Sequence, residues 1–105
     1  MHAAERVLEV VPYGLKVADD HIHLEREPRE HEVLMLTLEL IVQDFGLSKV
    51  AEELNLRGYS TRKGNPWNAA NVFELLPRLI EAGPKIFTSE EWVRRRNSIF
   101  SSIQQ

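Results

Sequence analysis

The sequence predicts a mainly α fold: a helix-turn-helix-like helical domain with a small N-terminal β-hairpin. Three observations lead there. Leu34, Leu38, Ile41 and Phe45 recur at the spacing of a helix face, flanked by Val33, Met35 and Val42. Two short runs alternate on either side of Ala18-Asp19-Asp20. Capping residues, glycines and prolines divide the remainder into segments of helical length.

Residues 1–11 place Val7, Leu8, Val10 and Val11 among charges, as one short helix or an extended arm that Pro12 stops. Gly14-Leu15-Lys16-Val17 and His21-Ile22-His23-Leu24 are the expected strands of the hairpin. Two strands are not stable alone, so the hairpin must lean on helices. Pro28 suits the first turn of a helix, and Glu27, Glu30 and Glu32 lie near its positive end. That helix runs to about Asp44, with Gly46 as its stop. Ser48 is expected to cap a second, short helix over 49–55 that faces Val50, Ala51 and Leu54 inward. Two glycines, a proline and polar residues make 57–67 a loop. Asn68 caps a third helix burying Val72, Leu75 and Leu76, which Pro77 should kink or end, because proline removes a helix hydrogen bond. A further turn through Leu79 and Ile80 should end at Ala82-Gly83-Pro84. Thr88 or Ser89 caps a last helix carrying Arg94-Arg95-Arg96. The expectation is a single domain over 1–105, its core at about 12–83 and its C-terminal helix at about 89–103.

With 105 residues the chain can bury one modest core. No apolar run approaches the roughly 18 residues of a membrane helix, and the start lacks a signal-peptide pattern. A cytoplasmic protein with no membrane partner is expected. The absence of cysteine removes disulfides, zinc ribbons and thiol nucleophiles from consideration. The net charge of -3 runs against a nucleic-acid binder, but it hides a split. Residues 1–53 hold 5 Lys or Arg against 12 Asp or Glu, whereas residues 54–105 hold 8 against 4. Between Glu53 and Glu74 there is no acid, and Arg57, Arg62 and Lys63 all lie there. A local field of one sign matters more to a phosphate backbone than the total does.

A short helix, a turn and a second helix form a common device for presenting side chains to the DNA major groove. The first helix packs the second against the core. The second must carry polar or basic groups near its N-terminus, where backbone N–H groups also favour phosphate. Helices over 49–55 and 68–76 fit these demands. Asn68 and Asn71 have amides able to pair with adenine, Ala69 and Ala70 allow close approach, and Arg57, Arg62 and Lys63 can bind phosphate. The linking loop is longer than in the simplest motif.

The run from Gly46 through Leu54-Asn55, Gly58, Thr61, Gly64 and Trp67 resembles the centre of the recombinase domain of large serine site-specific recombinases. Upstream, Pro12-Tyr13-Gly14, the hairpin and Glu27-Pro28-Arg29-Glu30 are similar to the opening of that domain. Downstream the likeness continues through Val72, Leu75, Leu76 and Gly83 to Lys85-Ile86-Phe87-Thr88-Ser89-Glu90-Glu91-Trp92, so that residues 12–96 are covered. The chain departs where the family has an Asn-Pro and a Tyr and this sequence has Pro77-Arg78-Leu79-Ile80-Glu81-Ala82. The resemblance implies a domain that holds DNA, while a separate N-terminal domain supplies the serine nucleophile. This chain has no room for that catalytic domain, so no enzymatic activity and no cofactor are expected.

The expected DNA-binding set is Arg57, Thr61, Arg62, Lys63, Asn68 and Asn71, the partner is double-stranded DNA, and a homodimer or a partner protein would reinforce one small module. Blander roles compete for the same residues. Trp67 suits a core or hinge anchor, Asn55 and Thr61 suit loop hydrogen bonds as well as DNA contacts, and Arg57, Arg62 and Lys63 can be plain surface charges. His21 and His23 share a face of the expected strand, but no further ligands accompany them and no metal is expected. Ser48, Ser60 and Ser89 have no base partner in a recognisable motif. The rival reading is a protein-interaction module that keeps the fold without DNA, with the acidic first half as its contact surface or as a shield over the basic face.

Overall fold

In the computed structural model, which describes residues 11–103, the chain is mainly helical with a two-stranded hairpin at its start. Val7, Leu8 and Val10 lie outside the described residues. Strands β1 (Leu15–Val17) and β2 (Leu24–Arg26) are followed by helices α1 (Pro28–Val42), α2 (Leu47–Leu56), α3 (Ala69–Ile86) and α4 (Ser89–Ile103).

The hairpin is antiparallel, with Leu15 opposite Arg26 and Val17 opposite Leu24. Its second strand thus starts at Leu24, where the alternation predicts a strand over 21–24. Asp20 is the reason: its Oδ1 accepts from the Ile22 and His23 amides at 2.8 and 2.9 Å, and His21 turns into the left-handed region at φ 61°. A side chain that bonds the backbone two residues on builds a turn in place of a ladder. His21 and His23 belong to that turn and share no strand face. The hairpin leans on α1, as its small size requires. The Gly14 amide donates to Glu30 Oε1 at 2.9 Å, and the Glu27 amide donates to the Gly14 carbonyl at 2.9 Å. Gly14 sits at φ 100°, and a Cβ there would lie 2.7 Å from Leu34 Cδ1.

Helix α1 begins as expected on Pro28, and the Glu27 side chain accepts from the Glu30 amide at 2.6 Å. Its stop differs. The left-handed residue is Asp44 at φ 68°, and the Phe45 and Asp44 amides donate to Leu40 and Ile41 carbonyls at 3.0 and 2.9 Å. This is the two-bond Schellman closure, built on an aspartate where glycine is usual. Gly46 serves instead as the extended residue before α2, and Ser48, inside the first turn, makes no cap. Asn68 does cap α3, accepting from the Asn71 amide at 2.9 Å. Of the two candidate caps for α4, Thr88 is the one used: Oγ1 accepts from the Glu91 amide at 3.3 Å.

Pro77 neither ends nor splits α3, which runs unbroken to Ile86. Pro77 stands on the solvent face, while Val72, Leu75, Leu76 and Leu79 on the opposite face are at most 4% exposed. Burying four aliphatic side chains outweighs the one hydrogen bond that Pro77 cannot donate. The core joins that face to Leu34, Leu38 and Ile41 of α1, Val50 and Leu54 of α2, and Trp92 and Ile99 of α4. It therefore reaches past residues 12–83, because α4 contributes to it.

Candidate nucleic-acid interface

Helices α2 and α3 pack on each other, and residues 57–68 connect them. The connection is held at both ends by groups of its own sequence. At the end of α2 the Gly58 and Tyr59 amides donate to the Asn55 and Leu54 carbonyls at 3.1 and 3.0 Å, with Gly58 at φ 83°. This is a second Schellman closure, here with the expected glycine. At the start of α3 the Asn55 side chain holds the Trp67 backbone from both sides. Its Oδ1 accepts from the Trp67 amide at 2.8 Å, and its Nδ2 donates to the Trp67 carbonyl at 2.9 Å. Trp67 is buried and meets the Tyr13 ring edge-on at 6.0 Å between centroids. The anchoring roles of Asn55 and Trp67 are thus visible in the fold.

Between these ends lies a tight turn. The Thr61 amide donates to the Asn65 carbonyl at 2.8 Å, the Gly64 amide to the Thr61 carbonyl at 2.8 Å, and Thr61 Oγ1 accepts from the Asn65 amide at 3.0 Å. Thr61 shapes the turn that projects Lys63. Lys63 is exposed and makes no ion pair among the described residues.

Arg62 points the other way. Its guanidinium donates to both Glu30 carboxylate oxygens, at 2.8 and 2.7 Å, and to the Val11 and Pro12 carbonyls at 2.8 and 3.2 Å. It also lies 5.4 Å from the centre of the Tyr13 ring. Burial pushes the Glu30 carboxyl up, but the hydrogen bonds from Arg62 and the Gly14 amide outweigh it and hold the group below the ordinary carboxylate range. Burial, with Glu30 adding to it, raises the Tyr13 hydroxyl far above its usual value. Two further grips come from α1: Arg29 donates to the Gly58 carbonyl at 3.1 Å and stacks on Tyr59, whose hydroxyl donates to Glu32 at 3.0 Å.

Thr61, Arg62, Lys63 and Asn71 border one hollow, which Tyr13, Trp67 and the acidic Glu74 also line. Asn68 stands beside it as the cap of α3, and Arg57 stands apart at the end of α2, its Nε 3.5 Å from Glu53. The cationic ridge that composition suggests is thinner in space, since Arg57 and Arg62 face carboxylates and Lys63 does not. Two side chains of this region do not stand out in the sequence. Glu30 was read only as part of an acidic helix start, and its pairing across 32 residues has no local signature. Phe73 is 51% exposed on the outer side of α3. Its signal was available: with Val72, Leu75 and Leu76 inward, the helical period turns Phe73 outward.

The family model for Recombinase matches residues 28–99. The chain belongs to the Recombinase family. The matched stretch runs from the first residue of α1 to Ile99 of α4, so it includes every helix-borne residue of the hollow and leaves the hairpin outside. Neither the curated proteins nor the solved structures contain a match to this Recombinase-family chain. Among the described residues no group of three His, Cys, Asp or Glu side chains could hold a metal ion, and no helix is long and apolar enough to cross a membrane.

Proposed function

We propose that this chain is a cytoplasmic DNA-binding module that seats duplex DNA on the N-terminal end of α3 and the loop of residues 57–67, with no catalysis of its own. The observation that carries the reading is the meeting of Thr61, Lys63 and Asn71 around one hollow beside the capped tip of α3. Recombinase membership supports a role with DNA in general.

Each residue then has a task. Lys63, exposed and without an ion pair among the described residues, contacts phosphate. Arg57 can exchange Glu53 for phosphate at little cost, because an exposed pair is worth only about 0–1 kcal/mol. Asn68 fixes the helix tip, whose free N–H groups and dipole favour an anion. Asn71, whose side-chain amide has no hydrogen-bond partner among the described residues, reads a base edge, with adenine the geometric match. Thr61 and Arg62 hold the loop in the shape that presents Lys63. One module of this size binds weakly alone, so a homodimer or a partner protein completes the site.

Gel-shift titration over a range of salt tests the proposal. Binding to duplex DNA should weaken steadily with salt, and Lys63→Ala should flatten that dependence by about 0.9 in the log-log slope, one phosphate contact. Asn71→Ala should weaken preferred DNA more than random DNA. No shift at low salt would overturn the reading. The pairing of Arg57 and Arg62 with carboxylates favours a second one, a protein-interaction module with the same fold, and the absence of any shift would favour it too.

A further inference from the structure

The outer face of α3 carries apolar side chains where a solvated helix would carry charges. Ala70 and Phe73, three residues apart, and Pro77 a turn later are all exposed, and Phe73 presents half of its surface. The face lies opposite the buried row of Val72, Leu75, Leu76 and Leu79, so these residues cannot join the core without turning the helix over. They also sit within the first turns after the Asn68 cap.

We propose that Phe73, with Ala70, is a specificity-determining contact that reads the 5-methyl groups of thymine in the major groove. The inference rests on the reading of α3 as the DNA-facing helix. Thymine is the base whose major-groove edge offers an apolar group, and alanine and phenylalanine are side chains that meet it. Glu74, exposed beside Phe73, belongs instead to the hollow that Lys63 and Asn71 border. A second protein copy fits the patch less well. A stable interface covers about 800 Å² on each partner, and one phenylalanine supplies at most about 250 Å². The patch matches a few methyl groups. The preferred site therefore contains a fixed thymine.

The test starts from selection of binding sites out of random duplexes by the wild-type chain and by Phe73→Ala, a substitution at an exposed position that leaves the core untouched. Wild type should select a motif with a fixed thymine, and Phe73→Ala should lose that preference while keeping salt-dependent binding. Deoxyuridine, which lacks only the methyl group, is then placed at that thymine. Wild type should lose about fourfold in affinity per methyl removed, the factor expected for one buried carbon, and Phe73→Ala should lose nothing further. Equal tolerance of deoxyuridine by both proteins, or an unchanged motif in Phe73→Ala, overturns the assignment while leaving DNA binding intact. Failure of wild type to recover any duplex overturns it together with the proposed function.

Discussion

The Arg62 guanidinium joins three segments far apart in the chain: the strand leader at Val11 and Pro12, the start of α1 at Glu30, and the loop before α3. Its removal is thus a structural change before it is an electrostatic one. Arg62→Ala should lower stability by about 2 kcal/mol, since it strands Glu30 and two carbonyls, and denaturant unfolding measures this. Glu30 makes the same latch sensitive to acid. Its folded carboxyl is held below the ordinary value, so its contribution is complete above the unfolded value of about 4.3 and is lost as pH falls through the folded one. Glu30→Gln should therefore be less stable than wild type near neutrality, and the gap should narrow as unfolding is repeated at more acidic pH. A gap that stays constant would remove the ion pair from the account. Thr37 gives an opposite prediction. It is fully buried, and its hydroxyl has no partner among the described residues, so Thr37→Val should stabilise the fold by roughly 1 kcal/mol.

Helix ends and crossings decide the elements. Asp44 occupies a left-handed position that costs an L-residue about 1–2 kcal/mol, so Asp44→Gly should raise the unfolding midpoint by relieving roughly that strain, less the entropy glycine adds to the unfolded chain. Where α3 meets α4, a Cβ on Gly83 would overlap the Trp92 ring, at 1.9 Å from Cζ3. Gly83→Ala should destabilise by about 1–3 kcal/mol, as overpacking does, and Trp92 fluorescence would report the displaced ring. Helical periodicity revealed α1 and the inward faces of α2 and α3, because apolar spacing is a local property of the chain. The strand slip at His21–His23, the role change between Asp44 and Gly46, and the survival of α3 through Pro77 were not legible. Each depends on a competition that spacing does not encode: an aspartate bonding its own turn, a backbone dihedral, and burial elsewhere on the same helix. In the candidate site, the Asn68 cap was readable from residue type and position. The inward turn of Arg62 was not, because its partner lies across the fold.

At the scale of the molecule, an anionic chain presents one helical tip with a protruding lysine. The acidic N-terminal half is partly spent in holding that region: Glu30, Glu32 and Arg29 of α1 all grip the loop that leads to α3. A preformed loop loses less entropy on binding than a mobile one, which offsets its modest charge. The most direct measurement is a map of backbone amide shifts on titration with short duplex DNA at low salt. The account predicts shifts concentrated on residues 57–74, with the hairpin tip and the outer face of α4 unchanged. Shifts centred on α4 or the hairpin, or none at all, would contradict it.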